Sequence, residues 1–399
     1  RKHTGEKEQM MKKVILIVLD SLGVGALPDS RKFGDDNPHT LQSLYLSHPE
    51  IRYPNLEKMG LGNIAEVNEA AEAQTNAYYG KLAEISNGKD TTTGHWEMCG
   101  IITVEPLATY PTGFPAEMLA PFVKYLGTDI LGNENASGTE IIERLGREHM
   151  LTGKPIVYTS ADSVLQIAAH EDVIPLDRLY EICANARELY REQPYQVGRI
   201  IARPFYGKPG EFIRDNANRR DFALNPPTPN LLTVLQEKER EVLAVGKIDD
   251  IFSHVGISKA VHTKDNMDGV DQTLALYQNM QNGLLFTNLV EFDSKYGHRR
   301  DVLGYTKALT DFDRRLPEIV AALDEETLLI ITADHGCDPA YRGTDHTREY
   351  VPFLIYHKQF SSPGALPTGQ SLADIGATIA DYLEVEYALP GQSFLARLK

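Results

Sequence analysis

The sequence predicts an α/β fold: a mostly parallel central sheet flanked by helices, with a second, smaller α/β domain inserted into it. Three observations carry this. Residues 14–19, 284–290 and 327–332 are predominantly apolar runs, the pattern of strands buried on both faces. Each run delivers an acid at or just beyond its C-terminal end, at Asp20, Asp293 and Asp334, the edge where open α/β sheets build their sites. From about residue 102 to about residue 221 the texture changes to shorter alternating β and α segments with basic residues near their ends. The expected division is a core of 11–103 and 222–399 and an inserted domain of 104–221.

The first ten residues are polar, precede a natural start at Met11, and read as a disordered or cloning-derived extension, not a signal peptide. Residues 14–19 form the first strand, and Asp20 is followed by the turn-rich Ser21-Leu22-Gly23-Val24-Gly25. Thr91-Thr92-Thr93-Gly94 opens a helix, so a hydroxyl there sits at a positive helix end; threonine is also common as an N-cap. In the inserted stretch, helices are expected over 118–126 and 138–149, a strand over 155–159, and an amphipathic helix through Leu176, Leu179, Ile182 and Cys183. A strand over 197–202 is interrupted by Arg199, and Pro226-Pro227-Thr228-Pro229 makes a stiff return. Residues 241–247 read as a strand ending in Gly246-Lys247, and 268–280 as a helix. Helical periodicity covers 303–323, with Pro317 marking a kink or break. A strand over 351–356 and a helix over 372–383 close the chain.

At 399 residues, with 42% hydrophobic and 24% charged residues, the chain has the material of a substantial globular core. Its formal charge of −16 argues against nucleic acid or an anionic membrane surface as partner, and leaves room for a local basic site for a phosphorylated small molecule. No apolar run approaches the roughly 20 residues that span a bilayer. Three scattered cysteines indicate no disulfide framework, so a cytoplasmic location is expected. Cys337 reads as a small buried residue rather than a soft metal ligand.

Three histidines, His298, His335 and His346, lie just beyond the second and third of the acids. In a parallel sheet these positions converge on one edge. Six carboxylate and imidazole side chains there match a two-metal centre, in which carboxylates offset the cationic charge and imidazoles complete the coordination. Two cations would also activate a nearby hydroxyl from Thr91, Thr92 or Thr93, and chemistry alone does not choose among the three.

The motifs Ile17-Val18-Leu19-Asp20-Ser21, Gly88-Lys89-Asp90-Thr91-Thr92-Thr93-Gly94-His95-Trp96-Glu97, Asp293-Ser294-Lys295-Tyr296-Gly297-His298-Arg299, Ala333-Asp334-His335-Gly336 and Gly343-Thr344-Asp345-His346-Thr347 resemble the alkaline phosphatase superfamily. With Thr159-Ser160-Ala161-Asp162-Ser163 and Gly198-Arg199-Ile200-Ile201-Ala202-Arg203, the chain resembles, within that superfamily, the prokaryotic phosphopentomutases from about Lys13 to its C-terminus.

The resemblance implies an alkaline-phosphatase-like core with an inserted cap domain. It implies one metal held by Asp20, Asp334 and His335, a second held by Asp293, His298 and His346, and Thr92 as the phosphorylated nucleophile. It further implies two Mn²⁺ ions, with other divalent metals able to enter such a site. The reaction implied interconverts ribose 1-phosphate and ribose 5-phosphate, and the 2-deoxyribose phosphates, primed by glucose 1,6-bisphosphate or a pentose 1,5-bisphosphate. Asp162 is expected to accept from sugar hydroxyls, and Arg199, Arg214 and Lys247 to hold the distal phosphate, with Arg203 a weaker candidate. Pentose phosphates are the expected partners; no protein partner is implied. The nearest rival on the same core is a cofactor-independent phosphoglycerate mutase, which usually presents serine at the threonine run. A non-catalytic sugar-phosphate binder would need no hydroxyl between metals.

Overall fold

The structure, a computed structural model, describes residues 11–160 and 162–399, so the extension expected over 1–10 lies outside it. The chain divides into two compact units, one running up to Val104 and again from Pro226 to Lys399, the other from Glu105 to Asn225. Strands are numbered in chain order. The first part of unit 1 holds β1 (Lys13–Leu19) and β2 (Tyr78–Leu82); unit 2 holds β3 (Leu131–Asn135), β4 (Ile156–Thr159), β5 (Val164–His170), β6 (Arg199–Lys208), β7 (Glu211–Arg214) and β8 (Arg220–Ala223). The return to unit 1 holds β9 (Val242–Val245), β10 (Lys259–Val261), β11 (Gly283–Leu289), β12 (Thr327–Thr332) and β13 (Val351–Tyr356).

Unit 1 is a seven-stranded sheet in the order β10-β9-β11-β1-β12-β13-β2. The first five of these strands are mutually parallel, and β13 runs antiparallel to both β12 and β2. Val14 to Leu19 of β1 are at most 1% exposed, as a central strand covered on both faces requires. Opposite faces of β11 meet different helices: Phe286 lies against His95 of the Thr91–Met98 helix, and Thr287 Oγ1 pairs with Thr273 Oγ1 of the Asn266–Asn279 helix at 2.7 Å.

The strand at β2 was not expected from sequence: Gly80 and Lys81 dilute its apolar signal, and it lies at the sheet edge, where little hydrophobic pattern is needed. Nor does Pro317 break its helix, which runs without interruption over Val302–Ala322. Proline removes the N–H that would have paired with the Asp313 carbonyl, and Asn55 Nδ2 donates to that carbonyl instead, at 3.0 Å. The Asp313 carboxylate in turn accepts from the Leu56 N–H at 2.7 Å, at the start of the Pro54–Lys58 helix.

Unit 2 is a mixed sheet in the order β3-β4-β5-β6-β7, with β8 also on β6. Arg199 opens β6 rather than interrupting it, because the strand begins there, two residues later than expected, and it extends to Lys208, six residues beyond the expected end. One apolar core packs the Leu176–Leu189 and Ala116–Leu126 helices on one face of this sheet; a smaller one, with Ile141, Tyr158 and Phe205, lies on the other.

Candidate metal centre and nucleophile helix

Strand register brings the acids together. In the parallel trio β11-β1-β12, Val18 stands opposite both Asn288 and Thr332, so Asp20 and Asp334 leave the sheet at one level. Gly336 then pairs with Thr347 as an antiparallel bridge, with N–H···O distances of 3.1 and 2.9 Å, which returns His346 to the side of His335. The two rings lie 3.9 Å apart, centroid to centroid.

Asp293 and His298 are joined by a π-helical turn over Phe292–Gly297. The His298 N–H donates to the Asp293 carbonyl at 3.1 Å, and the side chains meet with His298 Nε2 3.3 Å from Asp293 Oδ2. An α-turn would align positions four apart; the π-turn aligns positions five apart, a geometry found often at functional sites.

All six predicted ligands therefore converge. His335 Nε2 is 3.3 Å from both Asp20 Oδ1 and Asp334 Oδ2, and His346 Nε2 is 3.1 Å from Asp293 Oδ1. The groupings able to hold an ion are Asp20, Asp334 and His335; Asp293, His335 and His346; and Asp293, His298 and Cys337. Cys337 is buried, and its thiol is pushed up by that burial, the opposite of what a thiolate ligand needs.

The donor set fits divalent ions. Asp20 Oδ1, Asp293 Oδ1 and Asp334 Oδ2 are buried oxygens that satisfy no hydrogen-bond geometry. His298 and His335 anchor their Nδ1 atoms on the carbonyls of Thr344 (2.6 Å) and Gly336 (2.9 Å), which turns each Nε2 toward the carboxylates. His298 Nε2 and His346 Nε2 face each other at 2.9 Å, a contact that two lone pairs cannot make without a proton or cation between them. Burial and the Asp334 charge raise the Asp20 pKa. Burial alone would lower His335, but Asp334 and Asp20 carry it well above the ordinary imidazole value. Such a cluster gathers positive charge, and ligating cations would displace its protons.

The threonine run packs on this cluster. Asp90 caps the Thr91–Met98 helix, accepting from the Thr93 N–H at 2.9 Å and from Thr93 Oγ1 at 2.6 Å, which commits that hydroxyl to the cap. Thr91 Oγ1 lies 3.2 Å from His335 Nε2. Thr92 is half-buried, and its hydroxyl has no hydrogen-bond partner among the described residues. Gly94 permits the approach: a β-carbon there would stand 2.2 Å from the Asp334 carbonyl oxygen.

The model of the metalloenzyme superfamily matches residues 12–387. Phosphopentomutase from Alkaliphilus metalliredigens is 52% identical over 96% of this chain and 98% of its own length. Phosphopentomutase from Caldanaerobacter subterraneus is 54% identical over 98% of each. The chain belongs to the phosphopentomutase family. It is thereby an enzyme, a phosphomutase of the isomerase class, in agreement with the resemblance of its motifs. Among solved structures, phosphoglycerate mutase from Leishmania mexicana is 13% identical, with a TM-score of 0.49 over 97% of this chain and 98% of that one.

Of the other residues expected to act in this phosphopentomutase family member, Lys247 belongs to unit 1, and Asp162, Arg199 and Arg214 belong to unit 2. Lys247 is exposed just past β9, at the same C-terminal sheet edge as the acids. In unit 2, Asp162 is exposed and 4.0 Å from Arg199, which is also 3.3 Å from Asp221. Arg214 ends β7. With Arg203 and Arg219 it opposes the rise that burial imposes on the Tyr158 hydroxyl, so three guanidinium groups act on one phenol.

Two buried groups around the site were not singled out from sequence. Arg348, 2% exposed, donates to the carbonyls of Ser86 (2.8 Å), Gly88 (2.6 Å) and Glu84 (2.8 Å) and to Asp29 (3.0 Å), fixing the loop before the nucleophile helix. Glu349 accepts from the Thr40 N–H (2.7 Å), Thr40 Oγ1 (2.6 Å) and Thr347 Oγ1 (2.6 Å). Their only sequence signal is position, directly after the Thr344–Thr347 motif, since a charged residue gives no sign that it is buried.

Proposed function

We propose that this enzyme interconverts ribose 1-phosphate and ribose 5-phosphate, and the corresponding 2-deoxyribose phosphates, through a phosphorylated Thr92. The observation that carries the reading is the packing of the threonine helix onto the Asp/His cluster, with Thr91 Oγ1 3.2 Å from His335 Nε2. The 52–54% identity to phosphopentomutases along nearly the whole chain supports the choice of pentose phosphates.

Asp20, Asp334 and His335 would hold one divalent ion, and Asp293, His298 and His346 a second, with Mn²⁺ the proposed occupant of both. Bound ions of this kind neutralise charge on a transferring phosphoryl group and lower the pKa of a neighbouring hydroxyl. Thr92 carries the phosphoryl group. A sugar hydroxyl attacks its phosphorus, the bond to Thr92 Oγ1 breaks, and the proton lost by the sugar balances the charge left on threonine. The resulting bisphosphate presents its other phosphate, and Thr92 takes it back. Position N2 of the Asp90-capped helix suits this role, because the helix end favours the negative charge.

Asp162 is the proposed acceptor for sugar hydroxyls, and Arg199, Arg214 and Lys247 the proposed holders of the distal phosphate. The concentration of arginines around Tyr158 in a chain of formal charge −16 supports an anion site. Glucose 1,6-bisphosphate or a pentose 1,5-bisphosphate would prime Thr92. A cytoplasmic setting goes with the reading, supported by three buried, unpaired cysteines.

The experiment is a coupled assay on ribose 1-phosphate with Mn²⁺, run beside phosphoglycerate and a generic phosphate ester. Turnover of ribose 1-phosphate, with phosphate labelling of Thr92 after a sugar bisphosphate is added, is expected. Preference for phosphoglycerate, or ester hydrolysis alone, would overturn the proposal.

A further inference from the structure

Asn288 lies on β11 between the metal carboxylates and the nucleophile helix, 1% exposed, with Val18 of β1 opposite it. Its Nδ2 donates to Asp20 Oδ2 at 2.8 Å and stands 3.3 Å from His95 Nε2. Chemistry fixes the orientation of this amide. As a ligand to a cation the Asp20 carboxylate only accepts, and the amide turns its NH₂ toward it, as the Nδ2-to-Oδ2 donation requires. The second hydrogen of that NH₂ then points at His95 Nε2, which must accept it.

With Nε2 accepting, the ring's N–H lies at Nδ1. Nδ1 donates to the Thr91 carbonyl at 2.8 Å and stands 3.3 Å from Asp334 Oδ2. The imidazole lies nearly parallel to Phe286, 5.8 Å away and inclined by 29°, which holds the ring plane. His95 and Asn288 thus connect Asp20, Asp334 and the first turn of the threonine helix. The arrangement leaves Asn288 Oδ1 buried without a hydrogen bond, an uncompensated polar atom of the kind that calls for an explanation.

We propose that Asn288 is a positioning residue for phosphoryl transfer. It turns Asp20 so that Oδ1 faces the cation and locks His95 in the Nδ1–H tautomer, tying the nucleophile helix to the carboxylates. The inference rests on reading Asp20, Asp334 and His335 as a metal site. Asn288 itself touches neither substrate nor ion.

The test combines histidine-selective ¹⁵N NMR with calorimetric Mn²⁺ titration of the full chain. In the unsubstituted protein, His95 should show a protonated Nδ1 and an unprotonated Nε2, assigned by loss of its signals in His95→Phe. Asn288→Leu, of similar size but without donors, should release that tautomer and weaken one of the two ions by about 10–100-fold. Turnover should fall while KM for ribose 5-phosphate stays within about twofold, since substrate contacts are untouched. Two bound ions together with a protonated His95 Nε2 in the unsubstituted protein would overturn the inference alone, and that spectrum needs no variant to fold. Unchanged Mn²⁺ affinity in a folded Asn288→Leu would do the same. An unsubstituted protein that binds no ion would overturn the metal-site reading beneath it.

Discussion

Gly94 and Asp334 meet backbone to backbone: a β-carbon on Gly94 would stand 2.2 Å from the Asp334 carbonyl oxygen and 2.9 Å from its carbon. Neither atom can swing aside as a flexible side chain would. Gly94→Ala must therefore part the threonine helix from the end of β12. Overpacking of this kind costs about 1–3 kcal/mol, and a displacement of about 1 Å at a reacting group costs roughly 100-fold in rate. Urea unfolding should show a lower midpoint at unchanged slope, and kcat should fall with both ions still bound. Wild-type turnover in this variant would mean that the helix tolerates displacement.

The three threonines should separate by role. Thr92→Ala is expected to abolish phosphate incorporation and mutase turnover while leaving metal content intact. Thr91→Ala should retain incorporation at a reduced rate. Thr93→Ala, which removes the 2.6 Å bond to Asp90, should cost about 1 kcal/mol through the cap. Intact-mass measurement after exposure to a sugar bisphosphate reads the first two, and phosphate on Thr92→Ala would move the nucleophile elsewhere.

Removing ligands should lower metal content in steps. Asp293→Asn and His346→Ala are each expected to take the bound Mn²⁺ from two to one per chain, and Asp20→Asn to spare the second ion. Elemental analysis of the purified variants measures this directly. Unchanged stoichiometry in His346→Ala would remove that histidine from the ligand set.

Asn55 and Pro317 form a compensated pair. Asn55→Ala frees the Asp313 carbonyl that Pro317 cannot satisfy, so a loss of about 1–2 kcal/mol is expected. Pro317→Ala restores a backbone partner, so in that background Asn55→Ala should cost clearly less. Equal costs in the two backgrounds, read by a double-mutant cycle, would deny the compensation.

Glu349 should make stability depend on pH. Burial raises its pKa from the ordinary 4.5 to about 7, so the native state binds more protons than the unfolded chain across that window. The stabilisation it contributes is complete below 4.5 and is lost as pH rises through about 7, a change of about 3 kcal/mol. Measured against Glu349→Gln, the wild type should lose stability between about pH 4.5 and about pH 8. A pH-independent difference between the two would place its pKa near the unfolded value.

Strands buried on both faces were legible because their side chains obey one rule, continuous apolarity, as in Val14 to Leu19. The acids after β1 and β12 were legible for the same reason, since a polar residue ending such a run marks the end of the strand. Tyr78–Leu82 was hidden because an edge strand is held by its partner's backbone and needs little pattern of its own. Asn288 was hidden inside a strand whose neighbours satisfy the apolar rule; only the register against Val18 reveals what it faces. The continuity of the helix through Pro317 depends on Asn55, more than 250 positions away, and no local window contains that contact.

The π-turn at Phe292–Gly297 makes the number of residues between Asp293 and His298, more than their identity, what sets the meeting of the two side chains. Ser294 and Lys295 are exposed there, and their side chains reach back to the Val290 carbonyl and to Glu291, away from the acid–histidine cluster. Deleting either one would tighten the turn to an α-turn and swing the imidazole by about 100° around the helix axis, away from the carboxylates. Insertions and deletions in this short span should thus be far more damaging than any exchange of its exposed side chains, so the segment acts as a spacer of fixed count.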